Sequence, residues 1–139
     1  MDNSCIFCKI IGNEIPSATV YEDEIFKVIM DISPAAKGHA IMIAKKHIPD
    51  IFALDIETAK EAFLVASKVA KAMKDELHCD GVNILQNNGE AAGQTVFHFH
   101  IHVIPRFEDD SVTITWKQVK YGEGEANTLA EAIRKRIVQ

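Results

Sequence analysis

Three histidines stand at every second position in the segment Val96-Phe97-His98-Phe99-His100-Ile101-His102-Val103-Ile104. Successive side chains of a β-strand point to opposite faces, so residues two apart share one. A strand of this sequence presents His98, His100 and His102 in a row on one side. Phe97, Phe99, Ile101 and Val103 fall on the other, apolar side, which belongs to a core. Half of the six histidines in the chain lie within these five residues. Such a row can be a polar face, a metal site built from two or three imidazoles, or a catalytic surface. In the last case imidazole serves as nucleophile, proton carrier and donor to phosphate. The flanks favour catalysis. Asn87, Asn88 and Gly93-Gln94-Thr95 stand just before the row. Glycine lets a backbone approach a ligand closely, and Gln94 and Thr95 offer neutral donors, so the loop has the makings of an oxyanion cradle.

The second chemical signal is Cys5-x-x-Cys8. The chain holds three cysteines, an odd number that argues against a disulfide framework. Two thiolates at this spacing suit zinc when imidazoles complete a tetrahedral set. Cys79 and its neighbour His78 read as ordinary loop residues after a helix. A Gly-Lys-Ser/Thr phosphate loop is absent from the sequence, which removes kinase-like phosphate binding from consideration.

The elements that must position these residues follow from periodicity. A short helix spans 6–12, ended by Gly12, and Pro16 marks an extended turn. Strands are expected at 18–21 and 25–30, joined through Glu22-Asp23-Glu24, and at 39–44 after the Lys37-Gly38 turn. Ile56, Ala59, Phe63, Ala66, Ala70, Met73 and Leu77 recur in steps of three and four, the stripe of a long amphipathic helix over 55–77 with Asp55 as its N-cap. Strands are expected at 82–86 and 96–104, the latter stopped by Pro105, with a short extra one at 112–116. Thr128-Leu129-Ala130-Glu131 has capping-box spacing and opens a C-terminal helix. The sum is α+β: an antiparallel sheet of five strands or slightly more, with a long helix packed on it and a helix at the C-terminus.

With 139 residues, 47% of them hydrophobic and 25% charged, the composition is that of one globular domain spanning 1–139. Residues 1–12 form its cysteine-bearing start and 117–139 its tail and last helix. The net charge of −5 disfavours a groove tracking a nucleic-acid polymer, which calls for a basic excess. The sequence has no apolar run of transmembrane length. The polar start Met1-Asp2-Asn3-Ser4 lacks the features of a signal peptide. The expectation is a cytoplasmic protein without membrane or nucleic-acid partners.

Residues 98–104 match His-φ-His-φ-His-φ-φ, with φ apolar, at every position. Met30-Asp31-Ile32-Ser33-Pro34, Gly38-His39, Lys45-Lys46-His47-Ile48 and Gly93-Gln94-Thr95-Val96 precede it. In type, order and spacing these residues resemble the histidine triad family of nucleotide hydrolases and nucleotidyltransferases. The resemblance covers most of the chain up to Trp116.

What the resemblance implies is specific. The middle histidine, His100, attacks the α-phosphate of a purine nucleotide and is transiently nucleotidylated. His102 contacts the phosphate and assists the leaving group, and His98 completes the triad. A histidine at position 102, where the uridylyltransferase branch has glutamine, favours hydrolysis over transfer. Asp31 takes the ribose hydroxyls, Asn87, Gln94, Thr95 and His39 lie around the nucleotide, and Ile29, Ile32 and Phe26 wall the base. The missing zinc ligands become His47 and His98, giving a structural Cys5-Cys8-His47-His98 site with one zinc per chain. A homodimer is implied as well. The expected substrate is a nucleoside phosphoramidate or an adenylated small molecule. Gln86, Gly93-Gln94-Thr95 and Ile104-Pro105-Arg106 also resemble the dinucleoside polyphosphate hydrolase branch. A nucleotide-sensing or scaffold protein with vestigial chemistry is the rival from another class.

Overall fold

The computed structural model describes residues 3–137. Its elements run α1 (Ile6–Ile11), β1 (Thr19–Glu22), β2 (Phe26–Met30), β3 (Ala40–Ala44), α2 (Ile56–Leu77), β4 (Gly81–Leu85), β5 (His100–Arg106) and α3 (Glu125–Arg136). Single 3-10 turns occupy Ile51–Ala53 and Glu90–Ala92. The five strands form one sheet in the order β1-β2-β3-β5-β4, and every neighbouring pair is antiparallel. The α+β expectation holds. Among the described residues no helix is long and apolar enough to cross a membrane.

Register divides the sheet into two chemically different faces. Val28 stands opposite Met42, and Met42 opposite Ile101. Side chains opposite one another share a face, so this row, with Phe26, Ala40, Ala44 and Val103, packs beneath α2. The other face carries Ile29 opposite Ile41 and Ile41 opposite His102, with Ile43 opposite His100. Phe7 and Ile10 of α1 cover its apolar part. Lys27, also on this face, is buried, and its ammonium donates to Ile10 O (3.2 Å) and Asn13 Oδ1 (2.9 Å), fastening the end of α1 to the sheet.

The helix α2 starts where Asp55 caps it, its carboxylate accepting from the Thr58 N–H (3.2 Å) and Thr58 hydroxyl (2.7 Å). Its buried stripe is Thr58, Ala62, Val65, Ala66, Val69 and Met73. The expected stripe is displaced around the helix by part of a turn: Ile56 and Phe63 are exposed, Phe63 at 71%. Small residues let the helix axis lie close over the sheet, and the larger apolar side chains are left outward. His78 ends α2 in the left-handed region (φ 53°), its N–H bonded to Lys74 O. Cys79 then turns into the core, and neither residue joins a group of candidate metal ligands among the described residues, as expected of loop residues after the helix.

Three further expectations are corrected. Residues 112–116 form no strand. α3 begins at Glu125 rather than Thr128, with the Gly122 N–H bonded to the Glu125 carboxylate (2.9 Å). β5 begins at His100 and runs through Pro105 to Arg106. Pro105 pairs with Val82 beyond the end of β3. With only one neighbouring strand there, its missing N–H is tolerated.

Candidate active site and metal centre

The chain just before β5 bends instead of pairing, and the bend separates the three histidines into two tasks. The Phe99 N–H donates to Ile48 O (2.6 Å) while Phe99 O accepts from Ala44 N–H (3.2 Å). His98 is thereby carried off the end of the β5 row and buried completely. Its Nε2–H donates to Ala44 O (2.6 Å). That bond fixes the tautomer, because a neutral imidazole carries one proton, and burial lowers its pKa and keeps it neutral. The unprotonated Nδ1 faces Cys5 Sγ (3.4 Å), Cys8 Sγ (3.6 Å) and His47 Nδ1 (3.1 Å). Cys8 Sγ lies 3.3 Å from His47 Nδ1.

These four donor atoms all lie within 4.8 Å of one another. Zinc–sulfur bonds of about 2.3 Å and zinc–nitrogen bonds of about 2.0 Å give tetrahedral edges of roughly 3.3–3.8 Å. The four separations given above match those edges to within a few tenths of an ångström. The Nδ1 atoms of His47 and His98 and the two sulfurs converge on one point, where a cation would face the lone pairs of all four. The set therefore fits zinc in size, softness and ligand number. α1 supplies its two sulfurs from adjacent turns, Cys5 capping the helix by accepting from the Cys8 N–H (3.5 Å).

His100 and His102 stay on the strand, their rings 5.1 Å apart at 76°. The Nδ1–H of His100 donates to His98 O (2.6 Å). Its Nε2 therefore keeps a free lone pair, and burial holds the pKa below the ordinary imidazole value. Phe7 meets this ring edge-on with centroids 4.9 Å apart. His102 has the complementary arrangement. The Ala35 N–H donates to His39 Nδ1 (3.0 Å), so His39, whose pKa burial lowers, carries its proton on Nε2. That proton bridges to His102 Nδ1 (2.9 Å). His102 in turn carries its own on Nε2, as a donor. Burial, followed by the proximity of His100 and His39, brings the His102 pKa down to about 4. One imidazole thus offers a lone pair and its neighbour a proton. Backbone groups at Ala35 and His98 set both tautomers.

Asp31 follows β2. Its Oδ1 accepts from the Ser33 N–H (2.8 Å), and its Oδ2 lies 3.6 Å from His39 Nε2. It is only partly exposed, and a carboxylate oxygen lies within 4.8 Å of ring nitrogens of both His39 and His102. Asn87 lies beside Gly93, where an added Cβ would meet Asn87 Nδ2 at an ordinary 3.5 Å; it is the φ of +93° that disfavours any other residue. Thr95 is exposed on the same loop.

Other expectations are placed differently. Gln94 is buried, and its amide is spent on the loop itself: Nε2 donates to Pro49 O (2.7 Å) and Val96 O (3.1 Å), and Oε1 accepts from the Gly89 N–H (2.8 Å). It shapes the cradle instead of donating within it. Phe26 lies in the core under α2 and Ile29 is sealed beneath α1, while Ile32 stands 95% exposed beside Asp31. Of the three proposed base walls only Ile32 is open to a ligand. Phe97 is half-exposed rather than core. Gln86 bonds to Asn87 O and to the Asn88 amide, and Arg106 to Asp110, Asn83 and Val112 O. The Ala35 N–H, Ala44 O and the role of His39 behind His102 were not legible from residue types. A histidine opening the strand that lies beside the triad was the available signal.

Comparison with known proteins places this geometry among relatives. The family model for the HIT domain matches residues 12–109. A crystal structure of a HIT family protein from Bacillus anthracis is 45% identical, covers 99% of this chain and 100% of its own, and has a TM-score of 0.92. One from Bacillus subtilis is 43% identical over 99% of each chain, with a TM-score of 0.93. A zinc-bound histidine triad protein from Mycobacterium smegmatis is 37% identical, covers 96% of this chain and 95% of its own, and has a TM-score of 0.75. The adenosine 5′-monophosphoramidase HNT1 of Saccharomyces cerevisiae is 42% identical over 111 residues, covering 80% of this chain and 68% of that protein.

Proposed function

The chain belongs to the HIT family, and from that premise we propose that it hydrolyses purine nucleoside phosphoramidates or adenylated small molecules through a nucleotidylated His100. The observation that carries the reading is the pair of opposed tautomers. His100 Nε2 is an unprotonated nucleophile beside a His102 Nε2–H that donates. The α-phosphate lies between them and the Gly93-Gln94-Thr95 loop. Nε2 attacks phosphorus, the bond from phosphorus to the amine or acyl oxygen breaks, an amine taking up a solvent proton as it leaves, and the His102 Nε2–H offsets charge on the departing group. The intermediate is a nucleotidyl-imidazolium, because Nδ1–H stays in place. The His98 carbonyl, 2.6 Å away, faces that positive charge. Water then attacks phosphorus and gives up a proton to solvent, the phosphorus–nitrogen bond breaks, and the nucleoside monophosphate leaves with His100 neutral again. Asp31 accepts from the ribose hydroxyls, Asn87 and Thr95 serve the phosphate side, and Ile32 lies against the base.

Cys5, Cys8, His47 and His98 hold one structural zinc per chain in this reading. Four protein ligands leave the ion no open position, so it supplies cross-linking and no reactive water. The chain's own contribution is to tie α1 to the turn after β3 and to the bend before β5. His98 then sits still while its carbonyl orients His100. The phosphoramidate class is favoured over dinucleoside polyphosphates because a close relative is named for that activity. In addition, Gln86 and Arg106, which carry the other likeness, are engaged within the fold.

Stereochemistry tests the intermediate. Two in-line displacements at one phosphorus give net retention, and one direct attack by water gives inversion. Hydrolysis of a chiral adenosine phosphorothioate amidate in labelled water should proceed with retention, and protein quenched in alkaline denaturant should carry a nucleotidyl group on His100. Inversion would reduce His100 to a base and refute the covalent route.

A further inference from the structure

We infer that Cys5 and Cys8 form an oxidation site, at which a hydroperoxide converts the pair to a disulfide in exchange for the metal ion they would hold. The three free cysteines have different surroundings. Cys79 lies in the core packed by α2, while α1 covers the other face of the sheet. Cys8 is buried, at 3% exposure. Cys5 is half-buried and borders an open hollow of about 510 Å³, together with Ser4, Ile6, His47 and Thr95. A fully enclosed zinc site shields both of its sulfurs. This one shields a single sulfur, and its exposed edge is made by Cys5 and the exposed His47 ring.

The two sulfurs can be joined without unwinding α1. They belong to the donor set whose atoms all lie within 4.8 Å of one another. The Lys9 N–H donates to Cys5 O (3.1 Å), so Cys5 opens the first helical turn and Cys8 lies within it. Helical rise and radius place Cα atoms three residues apart at roughly 5 Å, inside the span of about 4.4–6.8 Å that disulfides bridge. Cys79 joins no such group among the described residues.

The reacting form of cysteine is the thiolate, which is also its ligating form. Cys5 Sγ attacks one oxygen of the hydroperoxide, the oxygen–oxygen bond breaks, and hydroxide or alkoxide leaves. Cys5 becomes a sulfenic acid. Cys8 Sγ then attacks Cys5 Sγ, the sulfur–oxygen bond breaks, and hydroxide leaves. Two electrons pass from the sulfurs to the peroxide, and two thiolates become one neutral disulfide. The donor set is reduced to two imidazoles, which no longer hold a divalent ion. A dithiol restores the pair by thiol–disulfide exchange. In the oxidised form His98 keeps its bond to Ala44 O but loses its tie to α1. Its carbonyl, which accepts from His100 Nδ1, is then less firmly placed, and turnover falls. The fall in turnover rests on the hydrolase reading and the metal release on the zinc reading, whereas the disulfide rests on neither.

Full-length protein loaded with zinc is titrated with hydrogen peroxide, quenched with an alkylating reagent, and followed by peptide mapping and by the zinc released. Without alkylation the oxidised chain should be lighter by about 2 Da, the two thiol hydrogens. The map should show Cys5 linked to Cys8, Cys79 alkylated as in untreated protein, and zinc freed in equal amount to the disulfide. A dithiol with added zinc should return the thiols, the metal content and the rate of hydrolysis. In Cys8→Ser the second sulfur is missing, so Cys5 should proceed to a sulfinic acid that the dithiol does not reverse. Oxidation of Cys79 as fast as of Cys5, a native Cys5 that goes to sulfinic acid without a disulfide, or a disulfide that leaves zinc bound would overturn the inference. A chain that takes up no zinc would refute the metal reading instead, and peroxide treatment of that metal-free chain still decides the disulfide.

Discussion

Replacing His39 isolates the least obvious part of the site. In His39→Leu the His102 Nδ1 loses the donor that sits 2.9 Å away. The ring is then free to carry its proton on the wrong nitrogen, and a part-buried acceptor is left unmatched. Removing one partner of such a bond costs about 1–3 kcal/mol. At 1.36 kcal/mol per factor of ten, kcat/KM should fall roughly 5- to 150-fold. In His39→Gln the side-chain amide occupies nearly the position of Nε2 and still donates, so most of that loss should be recovered. The pH profile provides a readout that mere packing would not move. His39 is one of the groups that hold the His102 pKa down, so the acid limb of His39→Leu should move toward higher pH. The assay is steady-state hydrolysis of an adenosine phosphoramidate between pH 4.5 and 8. A leucine variant within twofold of the native rate and with an unshifted profile would refute the relay.

Other outcomes follow from the same geometry. His100→Gly should lose at least nine tenths of kcat while nucleotide affinity, measured by titration, stays within about tenfold, since the nucleophile acts chiefly in the transition state. Asp31→Asn should weaken ribonucleotides by about 1.5–3 kcal/mol relative to 2′,3′-dideoxynucleotides; equal loss for both would make Asp31 a turn residue. Elemental analysis should find one zinc per chain, absent in Cys5→Ser/Cys8→Ser. Zinc at a hundred times its dissociation constant should stabilise the protein by about 2.7 kcal/mol, which calorimetry would read as a clear rise in Tm. Native kcat/KM should show no break at the free imidazole value of about 6.5 and stay level toward pH 5, because burial lowers the pKa of both His100 and His102. The unfolded chain protonates position 102 first as pH falls. Stability should therefore decline from about 6.5 toward the folded value of about 4, and a loss that sets in only below pH 4 would contradict this.

The sheet and the long helix were legible because alternation and a run of three-and-four spacing depend only on residue type. What the sequence concealed were choices between faces and between partners. Ile56 and Phe63 fit a helix stripe as well as Val65 and Val69 do, and only contact with the sheet selects the side with small residues. Residues 96–99 alternate as a strand should, yet the backbone bends because the His98 ring and the Phe99 N–H have partners at Ala44, His47 and Ile48. Gln94 has the donors a phosphate needs, but Pro49 O and Val96 O already occupy them. His100, His102 and Asp31 were recognisable as a constellation. The tautomers that leave a lone pair on His100 and a proton on His102 depend on the Ala35 N–H and His98 O, main-chain groups of kinds that any residue can offer.

The alternation along β5 has a consequence for how this segment tolerates change in length. His100 and His102 look one way and Ile101 and Val103 the other. Deleting or inserting a single residue within the strand exchanges the two sets beyond that point, burying imidazole under α2 and turning isoleucine toward the proposed nucleotide site. Conservative exchanges such as Ile101→Val should survive in a library of variants. Every one-residue deletion between 100 and 104 should be lost, for folding and chemistry together. The exposed residues Glu108 and Asp109, just beyond the strand, belong to no such two-fold count and should accept an insertion far more readily.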